Sequence, residues 1–432
     1  MSLIQEKSVH DHAAVRAGEP PAPPVGAGRR GPSALLSLLT AAGGPRYAVA
    51  LAVDAVGGGM LRPFLLLYGV GVLHLGAGAA GLAMSAGMVA GLLVVPLTGR
   101  WIDRGARTLP AAATLVLRAA GALTLPAANG LAWFTVAAVL FGMGSQSWPT
   151  THAAVVSTLT EGRLRDAALA AGRSLRNAGL GAGALLATLA VTGGAGAVRA
   201  LAWVTGAACL VAAALVLSLR VRAPQAVTDR AARPQEAGEP LRRISLLGLA
   251  NLPYAFCFDV LEVALPALLV LHLHASPAWS SGVFVGNTVL VIALQLALVL
   301  RLAGRSRRSV LAASGVVLAL SYLGFWAAGS LGGVPGAAGV AVVSVLYTLG
   351  EILYTGSGTA LVAAVAPPHL LGRALARWEV SSGVGRAAAP AVLTALLAVG
   401  PGLLWPVLAG ATLLGALAVL RLGPVRTPPP AR

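Results

Sequence analysis

The stretch Gly99-Arg100-Trp101-Ile102-Asp103-Arg104-Gly105-Ala106-Arg107 decides how this chain is read. It is a short basic turn with a single acid, and an almost unbroken apolar run flanks it on each side, 78–99 and 109–127. Each run matches one helical crossing of a bilayer core, which takes about 20 residues. Working outward, the same alternation of apolar run and short gap fills the chain. The expected spans are 46–70, 78–99, 109–127, 131–154, 167–192, 198–220, 244–271, 278–302, 309–330, 336–364, 371–398 and 402–421. With hydrophobic residues at 57% and charged residues at 10%, a soluble domain is excluded. The runs are far longer than the roughly 9–11 residues of a barrel strand and lack its alternation. The expected fold class is therefore an all-α membrane protein.

The arginines gather in alternate gaps: Arg100, Arg104 and Arg107; Arg163 and Arg165; Arg220 and Arg222; Arg242 and Arg243; Arg305, Arg307 and Arg308; Arg373 and Arg377; Arg421 and Arg426. The intervening gaps, 71–77, 126–130, 193–198, 272–277, 329–335 and 399–402, carry almost no charge, with Arg199 at the edge of span 6 as the exception. This is the positive-inside pattern. It predicts cytoplasmic termini, an even number of crossings and a multi-pass protein of the cell membrane. The formal charge of +17 does not point to nucleic acid, because bases scattered over short loops cannot track a phosphate backbone.

Residues 1–45 read as a disordered cytosolic tail with a short interfacial segment over 33–42. A six-helix bundle over 46–220, a cytosolic linker over 221–243, a second six-helix bundle over 244–421 and a tail over 422–432 follow. Two bundles so joined form the parallel-repeat plan. A weak echo supports it: Leu300–Arg308 stands after span 8 where Gly99–Arg107 stands after span 2, but has lost its acid. Gly57-Gly58-Gly59 with Pro63 interrupts span 1, and Gly179, Gly181 and Gly183 line span 5. Small residues permit close backbone approach, and glycine with proline can open a helix around a cavity. The run in span 1 is the stronger functional candidate, since Asp54 and Arg62 flank it. Cys209 and Cys257 fall inside apolar runs and read as small buried hydrophobes.

Gly99, Asp103, Arg104 and Arg107 resemble the loop motif between helices 2 and 3 of the major facilitator superfamily: glycine, three residues, Asp-Arg, a small residue, Arg. Ala106 replaces the usual glycine, and Thr108 stands where a second base is common. Phe64–Tyr68 followed by Gly69 resembles the end of helix 1 in drug-efflux members. Thr348-Leu349-Gly350-Glu351, then Ala366-Pro367 and Gly372-Arg373, resembles helix 10 and its following loop in that group. Over 46–421 the resemblance implies 12 transmembrane helices in two six-helix bundles that rock about a central site lined by helices 1, 4, 7 and 10. It implies the drug/proton antiporter group within the superfamily. It also implies that Asp103 docks against the start of helix 11 and stabilises an outward-closed arrangement. Val139-Leu140-Phe141-Gly142 lacks the arginine many proton-coupled members carry in helix 4, and helix 5 lacks their Gly-Pro pair.

A charge near the bilayer centre costs at least about 2.5–3.5 kcal/mol on insertion scales, which marks such residues as functional candidates. Asp54, Asp259, Glu262 and Glu351 are the candidates for proton coupling. A carboxyl poised between burial and a nearby cation can take up and release protons. Asp54 and Arg62 are about two turns apart on one face, and Asp259 and Glu262, three apart, share a face. Glu379 and Arg386 are expected to form a buried pair. Arg173 and Arg176 lie near the cytoplasmic start of span 5. Candidates for lining a substrate cavity are Arg62, Arg118, Gln146, Trp148, Tyr254, Phe258, Asn287, Tyr347 and Tyr354. A mostly apolar pocket with few polar groups suits amphipathic organic molecules. Arg104 and Arg107 are expected to meet acids such as Glu161 or Asp166.

His272-Leu273-His274 has no further ligand near in sequence, so no metal is expected. No phosphate-binding loop is present, so neither ATP use nor a cofactor is expected. The expectation is a monomeric secondary active transporter of a small amphipathic organic compound, working by alternating access as proton-coupled efflux. Its partners are the substrate, protons and the lipid bilayer. An importer or facilitator of a sugar, organic acid or peptide on the same fold is the alternative, which the missing helix-5 proline keeps open. A membrane enzyme or sensor is the other class, but an enzyme would show clustered nucleophile, base and acid, or a metal set.

Overall fold

Hydrocarbon offers no partner for a backbone N–H or C=O, so the apolar runs close their hydrogen bonds within themselves as helices. The structure is a computed structural model that describes residues 32–61, 65–191, 194–224 and 238–422. Its long helices are α1 Pro32–Leu61, α2 Ala77–Asp103, α3 Thr108–Thr124, α4 Leu131–Leu159, α5 Gly162–Val191, α6 Gly194–Leu217, α7 Gly238–Ala255, α8 Pro277–Leu302, α9 Arg307–Ser330, α10 Gly333–Val365, α11 Leu371–Val399 and α12 Pro401–Arg421. Each expected span falls mainly on one of them, except span 7, which runs on from α7 through short helical and π turns to His272. Arg62, with Pro63 and Phe64, lies outside the described residues, as does most of the expected linker.

Helices α1 to α6 pack as one bundle, chiefly α1 on α5 and α6, α2 on α4, and α3 on α4 and α6. Helices α7 to α12 pack as a second, chiefly α9 on α10 and α12, α8 on α10, and α7 on α11 and α12. The bundles meet where α2 lies on α11 and α5 on α8. Leu82, Leu93, Leu185, Leu271, Val342 and Leu414 are exposed around the outside, the apolar coat that lipid requires. Among the described residues, nine helices are long and apolar enough to cross a membrane. Helices α1, α4 and α5 fall short of that measure. These three carry Asp54, Ser145-Gln146-Ser147, and Arg173 with Arg176, polar groups that face the interior of the molecule.

Glycine closes the tightest helix contacts. A Cβ on Gly59 would stand 2.4 Å from the Leu180 carbonyl oxygen, and one on Gly183 would stand 2.2 Å from that of Val56. Helix α1 continues through Gly57-Gly58-Gly59 to Leu61. The run therefore seats α1 on α5 rather than opening it, and the expectation of an interruption there is corrected. The break in α1 comes earlier, at Gly44, whose φ of 78° suits glycine. Before it, Leu39 and Ala42 are buried in one cluster with Ala111, Ala168 and Val216.

The two bundles end their first helices alike. A π turn over Tyr68–Val72 precedes His74 at φ 55°, and a π turn over Leu268–His272 precedes His274 at φ 50°. Leu73 N–H donates to Tyr68 O (3.1 Å) and Leu75 N–H to Gly69 O (3.0 Å). Leu273 N–H donates to Leu268 O (2.9 Å) and Ala275 N–H to Leu269 O (2.9 Å). The repeat that sequence showed faintly is thus explicit in the backbone.

Candidate functional site

A cavity of about 600 Å³ lies between the bundles. Helices α1, α4 and α5 supply Asp54, Gln146, Trp148, His152, Arg173, Arg176 and Asn177 to its wall. The second bundle supplies Phe258, Glu262, Asn287, Gln295, Glu351, Tyr354, Trp378, Glu379 and Arg386. Of the residues singled out by sequence, Asp54, Gln146, Trp148, Phe258, Glu262, Asn287, Glu351 and Tyr354 come together here.

Others do not. Arg118 stands behind the wall, where its Nη1 donates to Asp54 Oδ1 at 2.5 Å with both side chains buried. It also lies over the Phe141 ring, 5.6 Å from the centroid. Asp54 therefore pairs across helices, with α3. Gly58 makes room for this pair, since a Cβ there would stand 2.7 Å from Arg118 Nη2. Tyr254 and Tyr347 are fully buried in the second bundle, donating to the carbonyl oxygens of Leu311 (3.1 Å) and Cys257 respectively. They are core residues and not cavity lining. Asp259 is absent from the wall, and its Oδ2 is buried without a hydrogen-bond partner among the described residues. A π turn over Val260–Ala264 widens the angle between Asp259 and Glu262, so only the second reaches the cavity.

Glu351 accepts from Asn287 Nδ2 at 2.8 Å, and the same amide donates to Thr348 Oγ1 at 3.1 Å. Tyr354 donates to Asn251 Oδ1 at 2.9 Å and stacks on Tyr254 with ring centroids 5.3 Å apart. Both Glu379 and Arg386 line the cavity, but among the described residues they form no ion pair with each other, and Arg386 Nε has no hydrogen-bond partner. Seven residues along a helix span about 10 Å, too far for a direct pair. Glu379 instead lies in the field of Arg386, Arg173 and Arg176 together. The site role of Arg173, Arg176 and His152 was not legible. The arginines stood out only by their place near the cytoplasmic start of span 5, and a histidine with no charged neighbour in sequence carries little signal. In the structure Tyr47 Oη lies 2.7 Å from His152 Nδ1, and Trp148 stacks on the same ring.

The conformational motif sits at the end of the molecule where the arginines gather. Asp103 Oδ1 accepts from Gly372 N–H at 2.6 Å, and Oδ2 accepts from Arg373 Nε at 2.6 Å and Arg373 N–H at 3.3 Å. The acid thus caps α11, where an anion is favoured. Gly99 permits the approach, since a Cβ there would stand 2.7 Å from Gly372 O. The contact shuts the basic face, which the arginine pattern assigns to the cytoplasm. A second bridge of opposite polarity joins α5 to α9: Arg307 Nε donates to Asp166 Oδ2 at 2.7 Å, and Arg165 Nη1 donates to Ala363 O at 3.1 Å. Burial pushes the Asp166 carboxyl up from its ordinary pKa, and the bond from Arg307 opposes it. Among the described residues Arg107 forms no ion pair, though it lies in the field of Asp103. It donates to Thr158 Oγ1 at 2.8 Å and to the carbonyl oxygens of Ile102 and Ala106. Asp166 is taken by Arg307, and Arg104 is exposed.

Residues 47–249 match the family model described as Major Facilitator Superfamily. Several solved structures share the architecture. The human organic anion transporter MFSD10 (TETRAN) is 16% identical with a TM-score of 0.70, covering 90% of this chain and all of its own. The proton:xylose symporter XylE is 12% identical with a TM-score of 0.66, over 90% of this chain and 95% of that one. The transporter FucP in its outward conformation is 14% identical with a TM-score of 0.64, over 87% and 96%. At these identities the likeness shows the fold. A comparison with the curated proteins finds no match.

Proposed function

We propose that the chain is a member of the Major Facilitator Superfamily, whose model matches residues 47–249, and that it is a proton-coupled secondary transporter that exports a small amphipathic organic compound by alternating access. The family model over residues 47–249 and the shared fold support reading it as a membrane transporter rather than an enzyme. The finer reading rests on one observation: Glu262, Glu351 and Glu379 face a cavity at the seam of two bundles that are bridged at one end. Carboxyl groups at mid-depth are costly and persist where they carry protons or bind substrate. Trp148, Phe258 and Tyr354 give the same wall the apolar surface that an amphipathic body needs. The basic face is taken as cytoplasmic, both termini lie on that side of the cell membrane, and the protein acts as a monomer. In this arrangement the Asp103 and Asp166 bridges close the cytoplasmic end. Asp54, neutralised by Arg118, holds α1 to α3, which leaves Glu351 as the leading proton carrier.

Import of an organic acid on the same fold is the second reading. The guanidiniums of Arg173, Arg176 and Arg386 on the cavity wall favour it, and one structural neighbour is by name an organic anion transporter. The test is reconstitution in vesicles with an imposed pH gradient and a screen of dyes, antibiotics and organic acids. Accumulation opposite to proton flow, lost in Glu351→Gln, is the expected result. Movement that ignores the gradient in the wild-type protein would refute the coupling.

A further inference from the structure

We propose that the substrate is a zwitterion, its anionic group held by Arg173, Arg176 and Arg386 and its ammonium group by Glu262 and Glu351. The inference deepens the transport reading above and rests on it. All five side chains line the cavity of about 600 Å³ between the bundles. Three features of that wall carry the argument.

The first is a set of unused donors. A guanidinium offers five N–H groups and no acceptor. Arg173, Arg176 and Arg386 make no side-chain hydrogen bond to another described residue, and Arg386 Nε is buried without a partner. Donors turned into a cavity and left unpaired call for an acceptor that the protein does not supply. The second is the charge balance. Asp54 is already matched by Arg118. The remaining wall holds Arg173, Arg176 and Arg386 against Glu262, Glu351 and Glu379. A net-neutral guest preserves that balance, whereas a simple cation or simple anion leaves one set of charges uncompensated at mid-depth. The third is the division between bundles. Arg173 and Arg176 stand on α5 of the first bundle, while Glu262, in the π turn Val260–Ala264 beyond α7, and Glu351, on α10, belong to the second. A guest with both charges grips both bundles at once, which a rocking mechanism needs.

Gln295 on α8 adds a further mark of a polar guest. It is fully buried on the same wall, and neither its amide nitrogen nor its oxygen has a partner among the described residues. The ammonium group would take the carboxylates assigned above to protons, so guest and proton occupy the site in alternation, as exchange requires.

The test uses three probes with one fluorescent body. Nε-dansyl-lysine carries both charges, dansylcadaverine only the ammonium, and N-dansyl-6-aminohexanoate only the carboxylate. Binding to the purified full chain in detergent is read by energy transfer from tryptophan, since Trp148 and Trp378 line the cavity. The zwitterion should bind at least about tenfold more tightly than either partner compound. Arg386→Gln and Arg173→Gln should reduce it to the level of the cation, and Glu351→Gln to the level of the anion. Arg386→Lys, which keeps the charge, should retain part of the preference, and the exposed Arg242→Gln should retain all of it. Equal affinity for the three probes, or no binding of the zwitterion up to about 1 mM, would overturn the proposal. No gradient is imposed in this measurement. Zwitterion preference without proton-driven flux in vesicles would sink the coupling and spare the substrate class, and the reverse result would do the opposite.

Discussion

Asp103→Asn should release the basic face. The carboxylate, 4% exposed, accepts three bonds from the first residues of α11. Asparagine keeps one oxygen, enough for the Gly372 amide, and loses the charged bond to Arg373. A hydrogen bond to a charged group contributes about 1.5–3 kcal/mol. The Arg373 side chain is 28% exposed, which places its share near the lower end. Loss of the anion at a helix N-terminus adds about 0.3–1 kcal/mol. Together the closed arrangement should lose about 2–3 kcal/mol. The bonds exist only while the bundles touch at this end, so the whole amount acts on the equilibrium, shifting it roughly 30- to 150-fold toward opening. Spin labels at Arg163→Cys and Arg305→Cys, exposed positions on opposite sides of the seam, report the separation by electron–electron double resonance. A long-distance population should appear in Asp103→Asn and not in Arg104→Ala. An unchanged distance distribution would refute the assignment of Asp103 as a latch.

Arg118→Gln should lower thermal stability in detergent by about 3–5 kcal/mol, because it strands a buried carboxylate, and Asp54→Asn in the same chain should recover most of that loss. Gly183→Ala should cost about 1–3 kcal/mol by forcing α1 off α5, read as a lower melting temperature, since the new Cβ would meet the Val56 carbonyl and the Met60 amide. Tyr347→Phe removes one bond inside the second bundle; stability should fall by about 0.5–1.5 kcal/mol, while the affinity for any transported compound stays unchanged. A large affinity change in that variant would show that Tyr347 reaches the cavity.

The helix plan was legible because lipid imposes it residue by residue: apolar length and arginine placement are local properties of the chain. The partner of Asp103 was legible through family resemblance, not through its own spacing. Partners across helices were not. The spacing of Asp54 and Arg62 suggested one helical face, but the base that meets Asp54 is Arg118 on α3, which no sequence spacing relates to it. Spacing along one helix likewise misled the pairing of Glu379 with Arg386. Tyr254 and Tyr347 lie on helices that line the cavity, yet a helix has two sides, and sequence did not say which one each ring takes. The π turn at Val260–Ala264 moved Glu262 away from Asp259, a change in pitch that no residue type announces.

The reversed polarity of the two bridges bears on which halves can join. In the first bridge the loop before α3 brings an acid to a base on α11; in the second, the start of α9 brings a base to an acid on α5. Were two copies of the first half to meet in the same geometry, Asp103 would confront Asp166. Two copies of the second half would set Arg307 against Arg373. Like charges at such spacing repel. Duplicated halves that have exchanged their signs at this seam can therefore mate only with their unlike sibling, a lock-and-key restriction on assembly written in four side chains.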